Sequence, residues 1–309
     1  MHRLLVFAAT ASAAKQQRCG CAVIGANASL AANPACPERF RGHDALDAGT
    51  AELTVAYLYY RDVAYAARHV AAWNAYDDAL LAKLLFLIVD DGSPRDAAAD
   101  VFAPLAPRGR VVVVRIAEDL AWNVGGARNL AFHVASVRRE TRVDAAFARF
   151  HVAPTSHVLA VDSDQKLSPA LLDWALAHRP AGCAVARGFP RVLESSGRKH
   201  RRAHPGVVLE SRRTYWTAGG CDVDSREDLV GHYGFTDLAH YGRVEAAGCA
   251  LEAAASAPPL VYMDEPREKA AFFSRSTRRN RGVLDAKLAG DAAWSADYLR
   301  FSWDFVRLS

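Results

Sequence analysis

The sequence predicts an α/β chain: a mostly parallel central sheet with helices on both faces. Two patterns predict it. From about residue 52 onward, apolar runs of strand length alternate with helical segments, as in a parallel sheet whose crossovers are helices. The runs are apolar almost without interruption, as strands buried on both faces must be. A third observation bears on function. Acidic clusters fall where two of these runs end, and in open parallel sheets ligands sit beyond the carboxyl ends of the strands.

The elements follow in order. Residues 53–60 (LTVAYLYY) are the first strand, and residues 63–76 follow with helical spacing. Residues 83–89 (KLLFLIV) are the second strand and run into Asp90-Asp91-Gly92-Ser93, with a short helix from about Arg95. Residues 110–116 (RVVVVRI) are the third strand, and Asn123 with Gly125-Gly126 opens a helix over 124–137. Residues 157–161 (HVLAV) are the fourth strand, ending at Asp162. Ser168 caps a helix with Pro169 at its first position, running to about His178. A fifth strand begins over 183–186.

The 309 residues allow one large domain, taken as 51–309 with halves over 51–165 and 166–309. Residues 1–50 read as an arm without periodicity. Its start, Met-His-Arg, then an apolar run to Ala14 with Ala11-Ser12-Ala13, is signal-like. That suggests a secretory route to the Golgi lumen, with a cytoplasmic chain as the alternative. Asn27-Ala28-Ser29 is a glycosylation sequon, meaningful only on that route. A net charge of +4 is too small to argue for nucleic acid, though it suits a protein that binds a diphosphate. The six cysteines include no C-x-x-C pair, so they read as buried or free thiols rather than a zinc site.

Asp162-Ser163-Asp164 leaves a buried strand. Two carboxylates spaced i, i+2 at a strand end suit a hard divalent ion, Mn²⁺ or Mg²⁺, with water and phosphate oxygens completing its shell. A turn leaving a strand can carry the same triplet. Asp90 and Asp91 form a second acidic turn, where a carboxylate can accept the imide N–H of uracil. Gly125-Gly126-Ala127-Arg128-Asn129 opens a helix, a place that favours anions, and Arg128 adds a positive charge. Trp216 beside Gly219-Gly220 and Asp222 offers an aromatic next to a tight turn, suited to stacking on a sugar. Asp237 starts a helix, and its simplest role is an N-cap.

The order of these motifs resembles the family 2 inverting glycosyltransferases of the GT-A fold, the nucleotide-diphospho-sugar transferase fold. A strand ending in IVDDGS is followed after about seventy residues by VDSD, then YWTAGGCD, then YGFTD. The likeness extends to SRSTRRNR and LRFSW near the C-terminus. The resemblance implies transfer of a sugar from a nucleotide-diphosphate sugar, a UDP-sugar above all, to a glycan or other hydroxyl acceptor. It places Tyr59, Asp90, Asp91, Arg128 and Asn129 on the donor, Asp162 and Asp164 on the metal, and Trp216, Gly219, Gly220 and Asp222 on the acceptor. Asp237 inherits the general base. The Glu that usually precedes it is Thr236 here, and the late His of many relatives is missing from Leu260-Val261-Tyr262-Met263-Asp264. The arginines of 275–281 are expected to fold over the diphosphate.

The basic stretch from Arg187 to Arg213 reads as a solvated, mobile loop near the acceptor cleft. An anionic acceptor or a peripheral membrane contact is the alternative. Aromatic residues are too sparse there for single-stranded nucleic acid. Two other functions stay open: a sugar-nucleotide nucleotidyltransferase, disfavoured because Tyr59-Tyr60-Arg61-Asp62 lacks a glycine-rich loop, and a non-catalytic nucleotide- or carbohydrate-binding relative.

Overall fold

The computed structural model describes residues 22–24, 30–32, 51–120, 123–135, 157–221, 234–263, 277–294, 301 and 303–306. Within the N-terminal arm, β1 (Ala22–Ile24) and β2 (Leu30–Ala32) pair antiparallel, an element the sequence did not announce.

The central sheet has eight strands. Four parallel strands form its middle: β3 (Leu53–Tyr59), β4 (Leu84–Asp90), β5 (Arg110–Ile116) and β6 (His157–Asp162). Their spatial order is β6-β3-β4-β5. On the β6 side lie β10 (Val208–Ser211), antiparallel to β6, then β8 (Ala184–Arg187), then β11 (Ala250–Ala253), parallel to β8. On the other side β13 (Trp303–Val306) pairs antiparallel with β5. The LRFSW segment thus feeds an edge strand. A small second sheet joins β7 (Gln165–Lys166), β12 (Leu260–Tyr262) and β9 (Arg191–Leu193).

Side chains alternate across the sheet, as the two-residue period of a strand requires. Ala56, Leu58, Leu85, Leu87 and Val89 face one core. That core is closed by α4 (Val124–Val134), α6 (Arg212–Thr217) and α7 (Thr236–Ala246). Leu53, Val55, Tyr57, Leu84, Phe86 and Ile88 face the other core, covered by α1 (Val63–Asn74), α2 (Asp78–Leu81), α3 (Ala98–Phe102) and α5 (Pro169–Ala177). Helix α1 buries Tyr65, Ala66, His69, Val70 and Trp73, one stripe at helical spacing. Trp73 stacks on Phe86 at 4.3 Å, so Trp73→Ala would cost about 3–5 kcal/mol. Ser168 caps α5 as expected, its Oγ accepting the Leu171 N–H at 3.2 Å.

Several expectations are corrected. The basic stretch after Arg187 is not a loop throughout: it holds β9, β10 and α6, because Val207, Val208 and Leu209 complete the sheet core. The cysteines are not all thiols. Cys183 and Cys249 form a disulfide that ties the start of β8 to the turn before β11, while Cys221 is free and buried. The end of SRSTRRNR lies in α8 (Arg278–Ala289); its residues 274–276 lie outside the described residues. Among the described residues, no helix is long and apolar enough to cross a membrane.

Candidate active site

Successive strands are added outward from β3 through β4 to β5, and the chain then crosses back to add β6 on the other side of β3, so the strand order switches between β3 and β6. In doubly wound sheets this switch point opens a crevice at the carboxyl ends of the strands. Tyr59, Asp90 and Asp162 are the last residues of β3, β4 and β6. Because β10 runs antiparallel to β6, the loop before β10 returns to the same end. Gly206 in that loop packs on Asp162 so closely that a Cβ would sit 2.4 Å from Asp162 Oδ2.

On the β4 side the two aspartates divide their tasks. Asp90 is fully buried, and its oxygens accept the Ser93 N–H at 2.9 Å and the Ala98 N–H at 2.8 Å. It fixes the turn and the start of α3. Tyr59 is likewise occupied: buried, with its hydroxyl donating to the Asp96 carbonyl at 2.6 Å. Asp91 is held differently, by a side chain rather than by backbone amides. Burial pushes it up to about 7, and the Asp90 and Asp119 carboxylates add to this, opposed by the amide of Asn123, which donates at 2.7 Å. Two glycines serve this corner. Gly92 has φ +71°, and a Cβ there would stand 2.0 Å from the Glu118 carbonyl. A Cβ on Gly126 would stand 2.1 Å from Asn123 Oδ1, so this glycine gives Asn123 the room to reach Asp91. The Gly-Gly pair was expected to admit an anion; its visible task at Gly126 is packing.

The Asp162-Ser163-Asp164 turn is held from α1. The Ser163 hydroxyl donates to Asp62, the residue before α1, and the Ser163 carbonyl accepts from His69 Nε2 at 2.7 Å. Burial lowers His69 to about 4, so it stays neutral and donates there. Asp164 Oδ1 accepts from the Gln165 amide at 2.7 Å, and its carbonyl accepts the Met263 N–H at 2.9 Å. The late strand therefore does end beside this turn, although Asp264 lies outside the described residues. The Asp162 side chain is 32% exposed, with Oδ1 at 3.9 Å from Arg128 and Oδ2 at 3.6 Å from His204 Nε2. Burial raises its pKa, with His204 and Arg128 opposing and the Asp237 and Asp164 carboxylates reinforcing.

Arg128 and Asp237 meet. Arg128 is 1% exposed; its Nη1 donates to Asp237 Oδ1 at 2.8 Å and its Nη2 to the Gly206 carbonyl at 3.0 Å. Burial works against its charge, but Asp237 above all, with Asp162, holds the guanidinium protonated. Arg128 was expected on the donor diphosphate; its direct partner is instead the candidate base. Asp237 lies inside the first turn of α7 and is not the cap. Phe235 precedes the helix at φ +67°, an unusual conformation for a bulky residue.

The acceptor-side turn is braced from within. Asn129 is buried; its Oδ1 accepts the Tyr215 hydroxyl at 2.5 Å and the Cys221 N–H at 2.8 Å, and its Nδ2 donates to the Cys221 carbonyl at 3.0 Å. It holds the Gly219-Gly220 turn. Gly219 and Gly220 adopt φ +86° and +66°, and a Cβ on Gly219 would stand 2.0 Å from Arg243. Trp216 is buried edge-on against Tyr215 at 4.9 Å, so its ring is core and not an open platform for a sugar. Asp222 lies outside the described residues.

Sequence reasoning missed Asp62, His69, His204 and Gly206. None shows a spacing signal, because each acts through a contact between segments distant in the chain. His204 could pass for the missing histidine ligand, but its Nδ1 accepts the Gly206 N–H at 3.0 Å. Neutral His204 therefore carries its proton on Nε2, facing Asp162, and ligation through Nε2 would forfeit that bond. Among the described residues, no group of three or more His, Cys, Asp or Glu gathers to hold a metal. Two carboxylates at a strand end still fit Mg²⁺ or Mn²⁺, whose remaining positions water and substrate phosphates fill.

No protein-family model matches the chain, and no curated protein matches it. Solved structures do. Staphylococcus aureus TarS 1–349, in complex with UDP-GlcNAc, is similar at a TM-score of 0.53 and 12% identity, covering 79% of this chain and 68% of that one. The chain has the GT-A fold. Two further GT-A similarities are weaker. A Drosophila beta-1,4-galactosyltransferase 7 mutant, in complex with manganese, UDP-Gal and xylobiose, is 11% identical over 75% of this chain and 79% of that one, at a TM-score of 0.45. The mannosyltransferase PcManGT from Pyrobaculum calidifontis, in complex with GDP-Man and Mn²⁺, is 14% identical over 78% and 70%, at a TM-score of 0.47.

Proposed function

We propose that this GT-A chain is a metal-dependent glycosyltransferase, moving a sugar from a nucleotide-diphosphate sugar, a UDP-sugar, to a hydroxyl acceptor with inversion. The motif order supports family 2. One observation carries the reading: Arg128 stands between Asp162, at the metal position, and Asp237, at the base position, with its Nη1 and Nη2 atoms at 2.8 Å and 3.9 Å from the two carboxylates. A turn that merely left a strand would need neither a second carboxylate from a distant helix nor a buried cation joining them.

Asp91, once ionised, accepts the N–H of the nucleotide base. Asp162 and Asp164 would hold Mn²⁺ or Mg²⁺, which when bound neutralises charge on the departing diphosphate. Arg128 fixes the Asp237 carboxylate through Oδ1 and leaves Oδ2 to take the acceptor proton. The acceptor oxygen then bonds to the anomeric carbon as the bond from that carbon to the diphosphate oxygen breaks, and the nucleoside diphosphate leaves. Attack opposite the leaving group inverts the centre. The acceptor is a glycan or another hydroxyl compound.

The Cys183–Cys249 disulfide favours an oxidising compartment, in keeping with the signal-like N-terminus and a secretory or Golgi location. The test of function is a panel of UDP- and GDP-sugars, scored for nucleotide release with and without Mn²⁺. Metal-dependent release of one nucleotide supports the proposal. Binding without release supports a non-catalytic relative, and release of pyrophosphate from a nucleoside triphosphate and a sugar phosphate supports a nucleotidyltransferase.

A further inference from the structure

Residues 191–202 form a hairpin with a built framework and an unneutralised charge. The β9 strand turns and returns through Lys199, which bridges Val192. The Leu193 N–H donates to the Arg198 carbonyl at 2.9 Å, and the His200 N–H to the Arg191 carbonyl at 2.8 Å. The Arg191 side chain lies across the hairpin, donating to the Arg202 carbonyl at 3.0 Å with its guanidinium 5.7 Å from the Tyr262 ring. Arg198, Lys199, Arg201 and Arg202 are all exposed, and none is ion-paired among the described residues. The hairpin's one acid, Glu194, is already taken by Arg68 and Lys166. Four cations in five residues therefore act without a counter-charge.

Their position gives the charge a direction. Arg202 lies two residues before His204, whose Nε2 is 3.6 Å from Asp162, and four before Gly206, whose carbonyl holds Arg128. Two residues of extended chain span at most about 7 Å. The donor base is expected at Asp91, at the end of β4, whereas the hairpin leads into the wall beside Asp162, Arg128 and Asp237. We propose that this hairpin binds the anionic part of the acceptor, a glycan bearing sulfate, carboxylate or phosphate groups. The proposal rests on the glycosyl transfer assigned to this site. A lipid surface is the weaker occupant. Stable membrane contact by charge needs an apolar anchor as well, and the exposed large apolar residues among those described are Val63, Leu238 and Leu288, none of them on the hairpin.

The test compares the full chain with the fourfold variant Arg198→Gln, Lys199→Gln, Arg201→Gln, Arg202→Gln. Calorimetry measures binding of a sulfated, heparin-derived octasaccharide and of a neutral xylo-oligosaccharide of similar length, at low and moderate salt. Vesicles of phosphatidylcholine with and without phosphatidylserine are the second probe. The expected result is sulfated-glycan binding that weakens with salt, as exposed charges require. The variant should lose about tenfold or more of that affinity while its UDP affinity stays unchanged. Equal binding by the variant, no preference for the sulfated glycan, or binding to anionic vesicles alone would overturn the proposal. Metal-dependent nucleotide release, measured separately, reads the function itself, so its absence would remove the glycosyltransferase reading whatever the hairpin binds.

Discussion

Arg128 donates to Asp237 at 2.8 Å from a position that is 1% exposed, and it is the only direct cationic partner of that carboxylate among the described residues. A base so placed is oriented by its partner. Asp237→Asn should lower transfer by about a thousandfold while UDP affinity holds, since positioned acid–base groups contribute roughly 10²–10⁴ in rate. Near-normal transfer by this variant would remove Asp237 from the base role.

Removing the cation should affect folding as well. Arg128→Gln leaves Asp237 and Asp162 without their shared counter-charge, a type of change that costs about 3–5 kcal/mol. Denaturant unfolding of Arg128→Gln, Asp237→Asn and the double variant forms a cycle. The double variant should lose less than the sum of the two singles. Simple additivity would mean that the two side chains do not act as a pair.

The role proposed for Asp91 would link donor binding to pH. Its carboxyl is held at about 7, chiefly by burial, so below pH 7 it is largely protonated and offers the base N–H only a neutral, weaker acceptor. UDP affinity in the wild type should weaken by about tenfold per pH unit below 7. Asp91→Asn should bind weakly at every pH and lack that dependence. Identical pH profiles for the two proteins would exclude Asp91 as the titrating contact.

The sequence carried the parallel sheet and its strand ends because those features are periodic and local. The runs at 53–60 and 83–89 match β3 and β4 to within a residue, and both are buried along their whole length. The roles of individual side chains were less legible. Asp90 and Asp91 are adjacent and chemically identical, yet one is spent on the Ser93 and Ala98 amides and the other faces Asn123. Only the direction in which each strand-end side chain points separates them. Asn129 and Trp216 followed the motif but point inward, and His204 followed no motif at all. The disulfide was hidden for the same reason: Cys183 and Cys249 are 66 residues apart and meet only because β8 and β11 are neighbours.

That disulfide should matter to stability. Closing a loop of this separation constrains the unfolded chain by about 4 kcal/mol in the loop-entropy model. The paired variant Cys183→Ala, Cys249→Ala should unfold at lower denaturant, by roughly 2–4 kcal/mol, and added reductant should lower the wild type to the same level. Reductant with no effect on the wild type would show that the bond does not contribute.

His69 supplies an acid-sensitive brace under the Asp162-Ser163-Asp164 turn. Its folded pKa is about 4 against an ordinary 6.5, so between these values the unfolded chain binds a proton that the folded chain refuses. Its contribution is complete above pH 6.5 and is lost as pH falls toward 4, by roughly 3 kcal/mol in total. The stability difference between wild type and His69→Asn should therefore shrink by that amount on going from pH 7 to pH 4. Parallel stability curves would contradict this assignment.

The most direct test of metal-dependent transfer at this site is nucleotide release from a UDP-sugar with an acceptor present, measured with and without Mn²⁺ in the wild type, Asp162→Asn and Asp164→Asn. Metal-dependent release is expected in the wild type, falling by about a hundredfold or more in both variants. Release that ignores Mn²⁺, or that survives both substitutions, would contradict it.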